Sequence, residues 1–391
     1  MSQTHLVRFY PVGNGDTSQI IAIDGKRYLF DYCHRKQDKD DKRIDLYNRL
    51  NEELEADRRN YFDVVAFTHA DLDHIAGSTE FFHLNHSGSY QGGQRKIISE
   101  LWVPAAMLLE PVGKDEQSDE FAVWRKEARH RLLDGKGIRV FSQPKPLMDW
   151  LEPKLKERGE SPRARDHLFV DAGTLVPGYT LKNEGIEFFC HSPFIEHCED
   201  GDIVRNDAAL ILNIRMRVAG MDTDLFQVGD STWEVLDDVV RITKYHGNDD
   251  RLRWDLFNIP HHCSYRALGK EKGDVRTEPE PRIKELLEAG QPGSYMISSS
   301  DPILDTKEAY EQALPPHAQA RNTYVEYLAK IRGRKLLVTM SEPSGYNPQP
   351  IEFAVGAGGV SKLVAAATGA AMAAVSSPSR NGFSTPAPRL G

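Results

Sequence analysis

Side chains that can bind a metal crowd one short segment, HADLDH at positions 69–74, in which His69, Asp71, Asp73 and His74 carry imidazole or carboxylate groups. Hard divalent cations prefer carboxylate oxygens, whereas borderline cations such as Zn²⁺ also accept imidazole nitrogens. A mixed set therefore indicates a site for Zn²⁺ or Mn²⁺, and the additional carboxylate of Asp71 shifts the preference toward Mn²⁺. The alternative interpretation is an exposed acidic loop with two incidental histidines.

Two later segments have the same character, and all three follow short apolar runs. The first motif follows Tyr61–Phe67, Asp230 follows Leu225–Val228, and His261 opens a pair of histidines after a run that ends at Ile259. Apolar runs of this length are typical of buried strands. Because strand ends can meet at one edge of a sheet, the three segments predict a single site there. This convergence favours the metal site over the incidental loop.

The order HADLDH, VGD and IPHHCS resembles the metallo-β-lactamase fold superfamily, whose first motif usually reads His-x-His-x-Asp-His. Asp71 stands where that pattern has its second histidine. The VGNGDT segment at positions 12–17 and the late HHCS resemble the branch that contains the hydrolase domain of ComEC-type competence proteins. The resemblance covers residues 5 to 342 approximately. It implies an α/β fold of the αββα type, with two mixed sheets face to face, helices outside and the site at one edge.

The resemblance also implies two divalent ions, Zn²⁺ or Mn²⁺, and a set of ligands. One ion would be held by His69, Asp71 and Asp230, and the other by Asp73, His74, Asp230 and His261. Asp230 would then bridge both ions. Two ions about 3.5–4 Å apart can activate a shared water and stabilise the attacking and leaving oxygens of a phosphodiester. Asp73 and His262 are the candidates for a catalytic role, although His262 fits the interpretation of a packing histidine at least as well.

The chain departs from the family pattern at Asn206, which stands where another histidine is usual. Its side chain would either complete the first site through the amide oxygen or bond to the backbone. Asp31 resembles a carboxylate that orients a ligand histidine. Asp16 lies on a turn near the first motif, and plain turn capping is the alternative for both aspartates. Ser264 is a further candidate for contact with the substrate.

These features predict a metal-dependent hydrolase that acts on a phosphodiester, with DNA or RNA as the favoured substrate. The alternatives are hydrolysis of another ester, a lactam or a thioester, and a regulatory module that binds metal without turnover. The formal net charge of −9 disfavours a protein that coats nucleic acid by bulk electrostatics, because that mode needs a basic face. Local contacts with phosphates remain open.

The 391 residues have the composition of an ordinary globular protein, with 40% hydrophobic and 27% charged residues. We expect a hydrolase domain over residues 1–355, with a long insertion at about 85–181 in which Pro144–Pro177 forms a surface loop. Residues 356–391, rich in alanine, serine and proline, are expected to be a flexible tail. The sequence shows neither a secretory signal nor a run long enough to span a membrane, so we expect a cytoplasmic protein with free thiols.

Overall fold

The chain is described by a computed structural model, which covers residues 4–35, 38, 40–111, 119–199 and 204–364. In this part of the chain the strands are β1 (His5–Phe9), β2 (Ser18–Ile21), β3 (Arg27–Phe30), β4 (Tyr61–Ala66), β5 (Ile97–Pro104), β6 (Ile138–Phe141), β7 (Phe169–Val170), β8 (Ile186–Ser192), β9 (Ile211–Val218), β10 (Met221–Gln227), β11 (Trp254–Asn258), β12 (Gly290–Ser298), β13 (Lys335–Val338), β14 (Ile351–Gly356) and β15 (Gly359–Lys362). The helices are α1 (Leu46–Ala56), α2 (Leu72–Ile75), α3 (Ser78–Phe81), α4 (Ala105–Leu109), α5 (Asp119–Asp134), α6 (Lys145–Glu157), α7 (Glu196–Glu199), α8 (Trp233–Tyr245), α9 (Pro281–Glu288), α10 (Lys307–Glu311) and α11 (Ala318–Lys330).

The strands form two mixed sheets. Within the described residues, one sheet has the order β15-β14-β1-β2-β3-β4-β5-β6-β7 and the other has the order β13-β12-β11-β10-β9-β8. In the first sheet β3 to β7 run parallel to one another, and β1 pairs antiparallel with β2 and β14. In the second sheet β10 to β13 are parallel, and β9 pairs antiparallel with β8 and β10.

Alternation along each strand divides the apolar side chains between three layers. In β4, Val64 belongs to the core between the two sheets, whereas the next residue, Val65, packs with the helices outside the first sheet. In β10, Leu225 faces the same central core and Phe226 packs with helices outside the second sheet. The expected αββα sandwich is therefore confirmed.

The expected surface loop at Pro144–Pro177 is wrong, because this segment contains helix α6 and strand β7. Leu147, Leu151 and Leu155 recur at helical spacing and are fully buried against the first sheet. Pro146 is tolerated because it lies in the first turn of α6. Strands β5, β6 and β7 also lie in the expected insertion, and they complete one side of the first sheet rather than standing apart from it.

The expected end of the domain at Val355 falls inside strand β14, so this boundary needs correction. Ile351, Phe353 and Val355 alternate into the core, and β15 then pairs antiparallel with β14 as the outermost strand. The sheet thus extends to Lys362. Residues 365–391 of the expected flexible tail lie outside the described part of the chain.

The helices and the cysteines of the described chain were also the subject of predictions. In the described chain no helix has both the length and the apolar character needed to cross a membrane. The four cysteines are buried and form no disulfide within the described chain.

Candidate metal centre

The carboxyl ends of three strands bring the candidate ligands together. His69 lies three residues beyond β4, and the single-turn helix α2 carries Asp73 and His74. Asp230 follows β10 by three residues, and His262 follows β11 by four. The site is therefore located where the two sheets present their strand ends, as the sequence predicts.

Four buried side chains form the centre of the site: Asp16, His74, Asp230 and His262, with one ligand atom from each within 4.8 Å of all the others. Asp230 lies between the two imidazoles. Its Oδ1 is 3.3 Å from His74 Nε2, and its Oδ2 is 3.5 Å from His262 Nε2. Asp16 Oδ2 approaches His74 Nε2 at 3.9 Å. We refer to these four residues as the buried quartet.

Asp31 and Thr68 orient two of the histidines. Asp31 Oδ2 accepts from His74 Nδ1 at 2.9 Å, and both carboxylate oxygens accept from Thr68, through its amide and its hydroxyl, at 2.7 Å. The Thr68 hydroxyl proton is thereby used, so Thr68 Oγ1 accepts from His69 Nδ1 at 3.2 Å. The Nε2 atoms of both rings are left for the site. The Thr68 hydroxyl fits in this position because residue 229 is a glycine. A Cβ at Gly229 would lie only 2.8 Å from Thr68 Oγ1.

His262 reaches the quartet through an unusual backbone turn. His261, His262 and Cys263 all have positive φ angles, of 49°, 51° and 67°. Side chains rarely adopt this left-handed conformation, which often marks functional sites. The turn directs His262 inward, where its Nδ1 donates to the carbonyl of Ser299 at 2.8 Å and its Nε2 lies 3.1 Å from Asp73 Oδ2.

His261, expected as a ligand, does not belong to the quartet. Its Nε2 is 3.9 Å from Asp230 Oδ2, and its side chain keeps 23% of its surface exposed. The rings of His261 and His262 are inclined at 79° to each other, because the left-handed turn sends adjacent side chains in different directions. The structure thus exchanges the positions expected for the two histidines.

A second group of possible ligands lies beside the quartet and consists of His69, Asp73 and His74. It shares His74 with the quartet. Since Nδ1 of His74 is bonded to Asp31, this ring has only Nε2 to offer, and Nε2 can bind one ion at a time. A second ion therefore depends on His69, Asp73 and neighbouring carboxylate oxygens.

Asp71 is paired with an arginine that the sequence analysis overlooked. Arg205 Nη1 donates to Asp71 Oδ1, and its Nε and Nη2 form a two-pronged contact of 2.8 Å each with Glu110. The other oxygen of Asp71 lies 3.4 Å from His69 Nε2. Only one oxygen of Asp71 thus remains for a metal. The sole hint in the sequence was that Arg205 precedes Asn206.

Asn206 and Ser264 make local contacts. The main-chain oxygen of Asn206 accepts from Ser231 Oγ at 3.3 Å. The hydroxyl of Ser264 accepts from the amide of Arg266 at 3.3 Å and caps the short turn that follows. The side-chain contact favours a structural role for Ser264, whereas the contact of Asn206 uses only its main chain.

The quartet and its neighbours fit a cation. Among the described residues, His69 Nε2, His74 Nε2 and Asp230 Oδ1 are buried and have no hydrogen-bond partner. Buried polar atoms are almost always bonded, so their convergence indicates a ligand that they share. Imidazole nitrogens with carboxylate oxygens are a donor set for Zn²⁺ or Mn²⁺.

Electrostatics in the quartet couples the histidines to the carboxylates. Burial opposes charge on His74 and His262, yet the carboxylate of Asp230 and its neighbours raise the pKa of both imidazoles well above the ordinary value. Burial likewise opposes charge on Asp230, but His262 and His74 hold its pKa well below the usual range. Burial raises the pKa of Asp16. Without metal, these shifts favour ion pairs of the His74 and His262 rings with the Asp230 carboxylate, at 3.3 and 3.5 Å and without good hydrogen-bond geometry for His74.

The fold and the site together define an αββα protein with a candidate metal centre at its strand ends. The sequence matches no protein-family model and no curated protein. Among solved structures, it is similar to a diphosphatase of the PhnP family, with 10% identity and a TM-score of 0.31 over 90% of this chain and 98% of that one. It is also similar to unliganded yeast PDE1, with 11% identity and a TM-score of 0.39 over 85% and 97% of the chains. A third is the metallo-β-lactamase SMB-1 bound to 2-mercaptoethanesulfonate, with 10% identity and a TM-score of 0.28 over 64% and 78%. Likenesses of this size carry no information about substrate.

Proposed function

We propose that this chain is a metal-dependent hydrolase of phosphodiesters and that its substrate is DNA or RNA. The observation that carries the proposal is the buried quartet, in which His74 Nε2 and Asp230 Oδ1 converge without hydrogen-bond partners in the described chain. A divalent ion bound there would supply an activated water and positive charge for the oxygens of the ester.

The ligand assignment follows the contacts. Asp16, His74, Asp230 and His262 would hold the inner ion, His69, Asp73 and the free oxygen of Asp71 would hold the outer one, and Asp230 would bridge the two. Asp31 and the carbonyl of Ser299 keep the imidazoles aimed at the inner ion. What supports His262 over His261 as the ligand is its burial and its contact with Ser299. The ion remains Zn²⁺ or Mn²⁺, because both accept this donor set.

His261 takes the role of a substrate-phosphate contact at the rim of the site. It is partly exposed and lies 3.9 Å from the bridging Asp230. Burial lowers the pKa of His261, so the ring stays neutral around pH 7 and can donate one hydrogen bond to a substrate oxygen. This assignment reverses the roles that the sequence suggested for the two histidines.

Arg205 weakens the outer site. Its guanidinium is always charged, and it holds one oxygen of Asp71 while Glu110 holds the guanidinium in place. The outer ion therefore has fewer free oxygens than the inner one, and we expect it to bind less tightly.

The direct test is an assay of purified, metal-stripped protein after addition of Zn²⁺ or Mn²⁺. The substrates are single-stranded DNA, duplex DNA, RNA, a chromogenic phosphodiester, a chromogenic lactam and a thioester. We expect metal-dependent turnover of the phosphodiesters. Turnover of the lactam or thioester alone would contradict the substrate class, and metal binding without any turnover would favour a regulatory module.

A further inference from the structure

A cavity of about 240 Å³ opens beside the candidate metal centre, at the start of α8 and the turn after β11. The side chains that matter in its lining are Trp233, Glu234, Tyr265, Arg266 and Lys270. We call it the aromatic and basic pocket. Its volume lies just below the range of roughly 300–1,000 Å³ for small-molecule sites, so it can contact a nucleotide without enclosing all of it.

The chain itself keeps this pocket close to the quartet. Thr232 in the wall of the pocket is two residues from Asp230, so their Cα atoms are at most about 7.6 Å apart at 3.8 Å per link. Tyr265 is three residues from His262 and lies on the turn that continues from it. The pocket and the candidate metal centre are therefore built on the same two segments of the chain.

The aromatic part of the pocket is held in position. Trp233 is partly buried and packs against the core under the second sheet. Tyr265 donates its amide to His317 Nδ1 at 3.3 Å and places its ring 5.1 Å from that imidazole. His317 is buried, and its Nε2 is 3.2 Å from the carbonyl of Ala313, which fixes the orientation of the ring. The rings of Trp233 and Tyr265 at the pocket are therefore both held in place by packing or hydrogen bonding.

The basic part carries unneutralised charge. Arg266 and Lys270 are exposed, and neither forms an ion pair with another side chain in the described chain. Lys270 Nζ lies 5.2 Å from the centre of the Trp233 ring, a favourable contact of a cation with an aromatic face. Glu234 is the acidic group of the lining, and its carboxylate suits the exocyclic amine of a base rather than a second phosphate.

We propose that this pocket binds the nucleotide next to the cleaved phosphodiester, with its base on Trp233 and Tyr265 and its phosphate on Arg266 and Lys270. The proposal rests on the proposed function of the metal centre and narrows its substrate to single-stranded nucleic acid. Aromatic rings with adjacent cations are how proteins hold unpaired strands, because each base offers a flat face for stacking. A base inside a duplex cannot reach such a pocket.

The test compares a small substrate with an oligonucleotide in the full-length, metal-loaded protein. Methyl p-nitrophenyl phosphate reaches only the metal centre, whereas single-stranded DNA and RNA octamers also fill the pocket. We expect the double variant Arg266→Ala/Lys270→Ala to raise KM for the octamers at least tenfold and to leave turnover of the small ester unchanged. The slope of log KM against log salt concentration for the octamers should fall by about 0.7, because the variant loses contact with one phosphate of a single strand.

The matched control is Arg241→Ala/Lys244→Ala, which removes the same charge from the far end of helix α8. This control variant should change neither the KM for the octamers nor the turnover of the small ester. Trp233→Ala should weaken octamer binding, and Trp233→Phe should restore most of it because a stacking face remains. Melting curves of the tryptophan variants separate this effect from unfolding.

The outcomes of this test distinguish the two proposals. The pocket would be overturned if the double variant lost activity equally on both substrates. It would also be overturned if the KM for the octamers did not change. If the wild type hydrolyses the small ester but no single strand, the proposal of a phosphodiester hydrolase is kept and the proposal of the pocket is overturned. If the wild type hydrolyses neither substrate, the proposed function fails. In that case the pocket is tested by fluorescence anisotropy, which measures the affinity of a labelled octamer for the wild type and for Arg266→Ala/Lys270→Ala. Equal affinities would overturn the pocket.

Discussion

Asp230 is the residue on which most contacts of the candidate centre converge. Its two oxygens face His74 and His262 separately, and His261 approaches from the rim. Asp230→Ala should therefore loosen both ions and lower kcat by about 10²-fold or more, a larger loss than for any other ligand. Metal analysis and turnover measurements check this. Two tightly bound ions with normal turnover would show that Asp230 does not bridge.

The charge state of the quartet predicts a pH dependence of metal binding. His74 and His262 have raised pKa values in the metal-free protein, and each must release its Nε2 proton before it can bind an ion. Metal affinity should therefore increase with pH, and binding should release protons around pH 7. Calorimetric titrations in buffers of different ionisation enthalpy measure that release. Binding heats that do not change with the buffer would contradict the protonated quartet.

The pairing of Asp71 with Arg205 predicts an effect on metal stoichiometry. Replacing Arg205 and its other partner together, as Arg205→Met/Glu110→Gln, frees Asp71 without leaving a buried carboxylate unpaired. The second ion should then bind about tenfold more tightly than in the wild type. The single variant Glu110→Gln serves as the control, because it leaves Asp71 paired. An unchanged affinity for the second ion would mean that Arg205 does not compete with the metal.

At the scale of elements, the apolar runs before each motif were sufficient to predict β4, β10 and β11, because short apolar runs that end in polar motifs are typical of buried strands. Helix α6 could not be predicted in the same way. Its prolines mark loops in most contexts, whereas here Pro146 occupies the first turn and the leucines determine the burial. Local signals thus describe the strands that carry the site better than the segments between them.

The exchange of His261 and His262 has a different physical cause. The choice between adjacent histidines depends on three consecutive left-handed residues, a conformation that the types of these residues do not specify. The role of Arg205 likewise depends on contacts with Asp71 and Glu110, which are far from it in sequence. Sequence patterns predicted which segments meet at the site and that His74 and Asp230 enter it, but not the choice between His261 and His262.

The last hairpin predicts how far the domain can be shortened. A chain that ends at Val355 loses β15, which pairs with β14, and also the 2.6 Å ion pair between Lys362 and Glu342. A chain that ends at Val364 keeps both. We expect the shorter chain to melt on the order of 5 °C below the longer one. Thermal denaturation of the two truncated proteins measures the difference, and equal melting temperatures would show that β15 contributes nothing to stability.

At the scale of the whole molecule, the sandwich places the strand ends of both sheets around one buried quartet. A net charge of −9 does not attract a polyanion by itself, so recognition of nucleic acid has to be local. Arg266 and Lys270, which form no ion pair within the described chain, would meet that requirement in the proposed pocket. A protein with a net negative charge could in this way bind a nucleic-acid strand at the proposed pocket.

The most direct measurement compares His262→Ala with His261→Ala, each stripped of metal and titrated with Zn²⁺ or Mn²⁺ while phosphodiester turnover is followed. His262→Ala should lose at least tenfold in affinity for the inner ion and nearly all turnover. His261→Ala should keep that affinity and lose turnover alone. Metal affinity and turnover that survive in His262→Ala would contradict the buried quartet as the metal centre.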